Sequence, residues 1–172
     1  MKGLIHIYCG NGKGKTTAAV GLAVRAVGAG KRVRFVQFFK DGSSSELAVL
    51  SQLATLQVLV CEKQFGFYKN MTESVKQQAR QAYSALFEQA VMDVACTEVL
   101  ILDEILSACR HGMVEEKRLL QFLQEKPEEL EVILTGREPG PALLETADYI
   151  SEIKKIRHPF DKGNRARKGI EY

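Results

Sequence analysis

The chain has 172 residues, of which 45% are hydrophobic and 26% charged, with a formal net charge of +3. This is the size and balance of one globular domain with a full core. No apolar run approaches the roughly 20 residues needed to cross a bilayer, and Met1-Lys2-Gly3-Leu4 leads at once into a strand-like run with no secretory-leader pattern.

Leu4 to Tyr8 reads as the first strand, followed by the glycine-rich stretch Gly10-Asn11-Gly12-Lys13-Gly14-Lys15-Thr16-Thr17. A good helix then runs to about Ala29 and stops at Gly28-Ala29-Gly30. Val33 to Phe38 is strand two, and Asp41 to Ser45 is a loop in which Ser44 or Ser45 can cap a short helix. Val58 to Val60 is strand three, and the loop from Glu62 to Asn70 carries Phe65, Phe67 and Tyr68. A long helix from about Thr72 to Ala95 has Thr72 as N-cap and an apolar stripe of Val75, Ala79, Ala82, Tyr83, Leu86, Ala90 and Val94. Val99 to Leu102 is a buried strand ending in Asp103-Glu104. A helix from about Val114 to Glu125 stops before Pro127. Val132 to Thr135 is the next strand, a short helix covers Ala142 to Ala147, and a last strand lies near Tyr149 to Ile153.

Strands that are apolar throughout and alternate with helices predict an α/β fold, with a mostly parallel sheet covered by helices on both faces. Neither an internal repeat nor a linker divides the chain, so residues 1–172 are read as a single domain. Ligands in such sheets bind at the carboxyl ends of the strands, which brings Cys9, Phe38, Asp103 and Thr135 to one crevice. The four cysteines, Cys9, Cys61, Cys96 and Cys109, form neither a C-x-x-C pair nor zinc spacing. They read as reduced thiols in or near the core of a cytoplasmic protein.

The glycine stretch is a phosphate-binding loop in the setting of strand, loop and helix, which gives the sheet its P-loop NTPase-like (RecA-like) reading. Its backbone N–H groups can wrap a polyphosphate, and the helix start adds a positive dipole end. Lys15 supplies a point charge and Thr16 a hydroxyl for Mg²⁺. Cys9 stands where the strict G-x-x-x-x-G-K-[ST] pattern has its first glycine. A carboxylate from Asp103 or Glu104 can meet the Mg²⁺, directly or through water, although adjacent acids also begin helices. Arg137, after Thr135-Gly136, can bond a phosphate bidentately. Residues 154–168 hold Lys154, Lys155, Arg157, Lys162, Arg165, Arg167 and Lys168 against Asp161 alone. This basic tail, about 154–172, is open to three readings: a solvated surface, a nucleic-acid grip, or a lid over polyphosphate.

These motifs together resemble the P-loop ATP:corrinoid adenosyltransferase family from end to end. The matching residues are Gly10 to Ala19, Arg25-Ala26, Gly30-Lys31, Val36-Gln37-Phe38 with Lys40, and Leu102-Asp103-Glu104. Thr135-Gly136-Arg137, Ala147-Asp148, Ser151-Glu152, His158 to Gly163, Ala166 and Gly169 to Tyr172 complete the match. The resemblance implies that a cobalt(I) corrinoid attacks the 5′ carbon of ATP and displaces inorganic triphosphate. The nucleotide then lies in the opposite direction from the usual P-loop arrangement, so that the ribose carbon faces the corrin.

By the same resemblance, Gly10, Asn11, Gly12, Lys13, Gly14, Lys15, Thr16, Thr17 and Arg137 hold the triphosphate, with Arg25 as a further phosphate or structural candidate. Thr16 and Glu104 hold Mg²⁺, with Asp103 behind them, and His158 lies near the nucleotide. The expected catalytic set is Lys15, Arg137, Phe67 and His158; Phe67 and Tyr68 are expected to meet the corrinoid and displace its lower ligand. The family's G-F-x-W pattern aligns with Gly66-Phe67-Tyr68-Lys69, with Lys69 at the tryptophan position in a chain without Trp. Phe65 or Tyr68 is the available replacement. The family further implies a reduced flavin or flavodoxin-like electron donor and a homodimer. Some members carry an N-terminal segment over the site, for which this chain leaves little room. Two other classes stand beside this reading. One is a phosphotransferase or ATPase using the same loop; the other is a RecA-like nucleic-acid-binding module using the tail, which lacks interleaved aromatics for strand stacking.

Overall fold

The computed structural model describes residues 2–40, 42–66 and 68–172. Six strands form one sheet: β1 (Ile5–Cys9), β2 (Val33–Gln37), β3 (Leu56–Val60), β4 (Val99–Asp103), β5 (Glu131–Thr135) and β6 (Tyr149–Glu152). Their order is β3-β2-β4-β5-β1-β6, and every pairing is parallel. The helices are α1 (Lys15–Gly28), α2 (Ser45–Leu50), α3 (Glu73–Val91), α4 (Ile105–Arg110), α5 (Glu116–Glu125) and α6 (Pro141–Thr146).

Side chains alternate across each strand, and both sets are buried in the central strands β4 and β5, whereas the edge strand β6 is exposed. Val33, Phe35, Val99, Ile101 and Ile133 pack with Ala19, Ala23 and Ala26 of α1 and Leu47 and Leu50 of α2. Val36, Leu100, Leu102, Val132 and Leu134 face the other way, against α3, α4, α5 and Leu143 of α6. Covering both faces is what permits strands as apolar as Val99-Leu100-Ile101-Leu102. The alanines of α1 let that helix lie close to the sheet, which brings its N-terminus to the carboxyl end of β1.

The expected elements are present with shifted ends. The first strand runs one residue later than expected, through Cys9. The long helix starts as expected, with the Thr72 hydroxyl accepting from the Val75 N–H at 3.3 Å. It stops at Val91, and residues 94–96 form a separate 3₁₀ turn after Asp93 takes a left-handed conformation. The helix expected from Val114 begins at Glu116, and α4 between Ile105 and Arg110 is an element that periodicity did not reveal. α4 is too short and too uniformly buried to show an amphipathic pattern.

Candidate active site

The ends of β1, β4 and β5 meet the stretch after β2 in one crevice. Gly10 leaves β1 at φ +104°, a conformation that L side chains rarely adopt. A Cβ there would stand 2.5 Å from the Ile153 carbonyl oxygen, and one at Gly12 would stand 2.7 Å from it. The close approach has a purpose: the Gly12 N–H donates to that oxygen at 2.7 Å, and the Lys155 N–H donates to Asn11 Oδ1 at 2.8 Å. The residues following β6 thus hold the outer side of the phosphate loop. Cys9 still belongs to β1, and its side chain lies in the core with no left-handed backbone. A side chain is therefore accommodated where the strict pattern has glycine. Cys9, Cys61 and Cys109 are buried, Cys96 is exposed, unlike the core position expected for it, and all four are free. Burial pushes the Cys109 thiol up to about 12, which leaves it inert.

No side chain caps α1, so its first-turn N–H groups remain for an anion. Lys15 is buried, and its Nζ donates to the Gly12 carbonyl at 2.9 Å. Burial pulls its pKa below the usual lysine value. The nearby Arg137 adds to that effect, and Glu104 and Asp103 oppose it.

Asp103 is the hub of the crevice and is fully buried. Its Oδ1 accepts from the Thr16 hydroxyl at 2.9 Å and the Thr135 hydroxyl at 2.7 Å. Its Oδ2 accepts from Gln37 Nε2 at 3.2 Å and faces Lys40 Nζ at 3.4 Å. Gln37 Nε2 also donates to Glu46 Oε1 at 3.2 Å, and Lys40 lies 3.5 Å from that carboxylate. With two carboxylates to face, the Gln37 amide presents its NH₂ group, which leaves its buried Oε1 without a hydrogen-bond partner. Glu104 adopts φ +63°, its N–H donates to the Thr135 hydroxyl, and its carboxylate accepts from Ser107 at 2.6 Å.

These groups border a cavity of about 600 Å³. It is lined by Asn11 to Thr17, Lys40, Glu104, Arg137 and His158 together with Gly169 to Tyr172. A second cavity of about 490 Å³ adjoins it and shares Lys40, Ala166 and Tyr172. Phe39, Phe65 and Tyr83 line the second one, with ring centroids 5.1 Å (Phe39–Tyr83) and 5.7 Å (Phe65–Tyr83) apart.

The residues singled out from the sequence fall into three groups. Asn11 to Thr17, Glu104, Arg137 and His158 line the first cavity, with Asp103 directly beneath Thr16. Arg25 is exposed in the last turn of α1 and does not line it. Tyr68 lies outside both cavities, stacked on His111 at 4.1 Å with Lys76 Nζ 5.2 Å from its ring centroid. Phe67 lies outside the described residues. The tail meets the first cavity through His158, Ala166, Gly169, Ile170, Glu171 and Tyr172, and none of the described tail lysines or arginines lines it. Lys154 instead pairs with Glu152, Lys155 with Asp161, and Arg167 with Glu171. Hydrogen bonds from Arg167 hold the Glu171 carboxyl down at about 2.

Sequence reasoning assigned no role to Gln37, Lys40, Glu46 or Ser107. A signal existed for Gln37, a polar residue inside the apolar run of β2. Glu46 carried none, because an acid in a first helical turn reads as a dipole partner.

The parallel sheet, the loop and the buried acid at the end of β4 define a P-loop nucleotide-binding protein. The chain is similar in fold to EssC ATPases 2 and 3 from Geobacillus thermodenitrificans, with a TM-score of 0.55 at 18% identity. That match covers 97% of this chain and 35% of the other, and it speaks for the fold alone. The family profile described as ATP:corrinoid adenosyltransferase BtuR/CobO/CobP matches residues 1–172. Corrinoid adenosyltransferase of Escherichia coli K12 is 33% identical over 171 residues, covering 99% of this chain and 86% of that protein. Corrinoid adenosyltransferase CobA of Salmonella typhimurium is 32% identical over 173 residues, with the same two shares. The Pseudomonas aeruginosa corrinoid adenosyltransferase is 31% identical over 99% of this chain and 84% of its own length. The chain belongs to the ATP:corrinoid adenosyltransferase family.

Proposed function

We propose that this chain transfers the 5′-deoxyadenosyl group of ATP to the cobalt(I) of a corrinoid and releases inorganic triphosphate. Family membership over the whole length is the observation that carries the reading. The adjoining cavities suit it, one bordered by phosphate-binding groups and the other lined by aromatic rings. Cobalt(I) is already a strong nucleophile, so the protein needs no general base. Its work is to bring carbon and cobalt together and to stabilise the departing charge.

The N–H groups of Gly10 to Thr17, with Lys15 and Arg137, hold the triphosphate, and His158 borders the same cavity. The oxygen donors also fit Mg²⁺. Thr16 Oγ1 and the carboxylates of Asp103 and Glu104 are hard ligands, and the orphaned Gln37 Oε1 is a further buried acceptor near them. Among the described residues no three acids, histidines or cysteines cluster to form an all-protein cage. Mg²⁺ commonly takes one or two carboxylates and completes its shell with phosphate oxygens and water. Bound there, Mg²⁺ would neutralise phosphate charge.

The corrinoid lies on the aromatic side; Phe67 and Tyr68 are carried over from the family for displacing its lower ligand, although Tyr68 does not line that cavity. Phe65 is a further candidate, because it lines the second cavity. A reduced flavin or flavodoxin-like donor and a homodimer are carried over on the same ground, and a cytoplasmic place rests on the reading of the cysteines as reduced thiols. No helix among the described residues is long and apolar enough to cross a membrane.

The test is incubation with ATP, Mg²⁺, cobalamin and a strong reductant, following the corrinoid spectrum and the phosphate products. A light-sensitive adenosyl product with triphosphate is expected. ADP without an adenosyl product would overturn the reading in favour of a phosphotransferase or ATPase.

A further inference from the structure

Adenosyl transfer breaks the bond between triphosphate and the ribose C5′, the carbon that must face the corrinoid. The electron pair of cobalt(I) forms the cobalt–carbon bond, and the C5′–O bond breaks. Its pair stays on the oxygen, so cobalt becomes formally cobalt(III) and triphosphate departs with one more negative charge. The scissile bond therefore lies where the phosphate cavity meets the aromatic cavity. A cation at that boundary would act on the leaving oxygen itself, whereas one deep in the phosphate loop acts on the remote phosphates.

Lys40 is the one cationic residue that lines both cavities among the described residues. Its place follows from the backbone. Phe39 takes φ +56°, a costly conformation for a bulky side chain. Phe39 packs against Tyr83 in the aromatic cavity, while Lys40 reaches the acidic hub. Its ammonium lies 3.4 Å from Asp103 and 3.5 Å from Glu46. Both distances exceed the roughly 2.7–2.9 Å of a tight charge-assisted hydrogen bond. The two carboxylates hold the charge at the boundary without saturating its three donors.

We propose that Lys40 is a catalytic residue for adenosyl transfer, donating to the leaving oxygen of triphosphate as the C5′–O bond breaks. The inference rests on the adenosyltransferase reading. Lys15 and Arg137 bind phosphate in substrate and product alike, whereas Lys40 meets charge that grows during the reaction. Its effect therefore falls on turnover more than on ATP binding.

The experiment supplies chemically reduced cobalt(I) corrinoid and measures adenosyl product and triphosphate against ATP concentration. Wild-type protein is assayed first; absence of both products there would overturn the adenosyltransferase reading, separately from Lys40. With wild type active, Lys40→Met is expected to lower kcat by about a hundredfold, the scale of losing one preorganised donor to developing charge. Its KM for ATP and its direct ATP affinity should stay within about threefold of wild type, as for an interaction made only in the transition state. Lys40→Arg should recover much of the loss. Wild-type kcat in Lys40→Met, a loss confined to KM, or no recovery with Arg would overturn the proposal. If Lys40→Met does not fold, Lys40→Gln keeps a polar contact to Asp103 and Glu46 and takes its place under the same criteria.

Discussion

The two cavities are built by different means. The phosphate side is assembled from strand ends, an eight-residue reach of loop and helix start (Gly10 to Thr17), and one buried carboxylate that ties four segments together. The aromatic side is assembled from Phe39, Lys40, Ser43 and Ser44 after β2, the loop around Phe65, Tyr83 of α3, and Ala166 and Tyr172 of the tail. Triphosphate is small, charged and always the same, so rigid elements can meet it with fixed donors. A broad ring system instead needs surface from parts that are distant in the chain. Loops set on a rigid scaffold usually supply such surface.

Several variants break or sharpen this contrast. The largest effect is expected for Lys15→Ala, about a hundredfold or more in kcat/KM measured by triphosphate release, because a buried preorganised charge is removed. Near-native turnover would refute the role of Lys15 at the rigid side. Asp103→Asn should cost about 1–3 kcal/mol of stability, since it leaves Lys40 facing only Glu46 and mismatches buried donors. A thermal or denaturant melt indistinguishable from wild type would show that the hub does not tie the strand ends together.

Phe65→Ala, on the aromatic side, and Phe67→Ala, chosen on the family resemblance, should each slow reaction from cobalt(II) severalfold more than reaction from pre-reduced cobalt(I). Equal losses from both starting states would remove those residues from lower-ligand displacement and leave them as packing. The smallest effect concerns pH. Burial lowers the pKa of Lys15, so its protonated form is lost at a lower pH than for an exposed lysine. Since the cation is the form that binds phosphate, ATP affinity should fall by a fewfold as pH rises toward that lowered value. Titration calorimetry at increasing pH checks this, and a flat profile would place the phosphate affinity on the backbone N–H groups instead.

The rigid side was legible from the chain. Gly10 to Thr17, Asp103-Glu104 and Arg137 are short local patterns, each at the end of an apolar strand, and the parallel sheet brings them together. The aromatic side was only partly legible. Tyr68 was read as a corrinoid contact, yet it stacks on His111 away from both cavities, while Phe39 and Tyr83 line one of them. The basic tail was left open between a solvated surface, a nucleic-acid grip and a lid. It borders the phosphate cavity through residues that include His158, Gly169 and Glu171, with Arg167 occupied by that acid. Charge counts cannot anticipate such pairing, because an ion pair depends on the turn that brings Arg167 and Glu171 together.

By itself the sequence determined the α/β order, the two-sided burial of the strands, the phosphate loop and the family. These depend on hydrophobic period and on contacts within a few residues. Only the tertiary structure decided that Asp103 is shared by Thr16, Thr135, Gln37 and Lys40, and that Cys9 is a strand residue. It also decided that Lys40 stands between the two cavities. Those relations join positions tens of residues apart. They follow from strand order and from the left-handed turn at Phe39, which no local pattern in a phenylalanine–lysine pair announces.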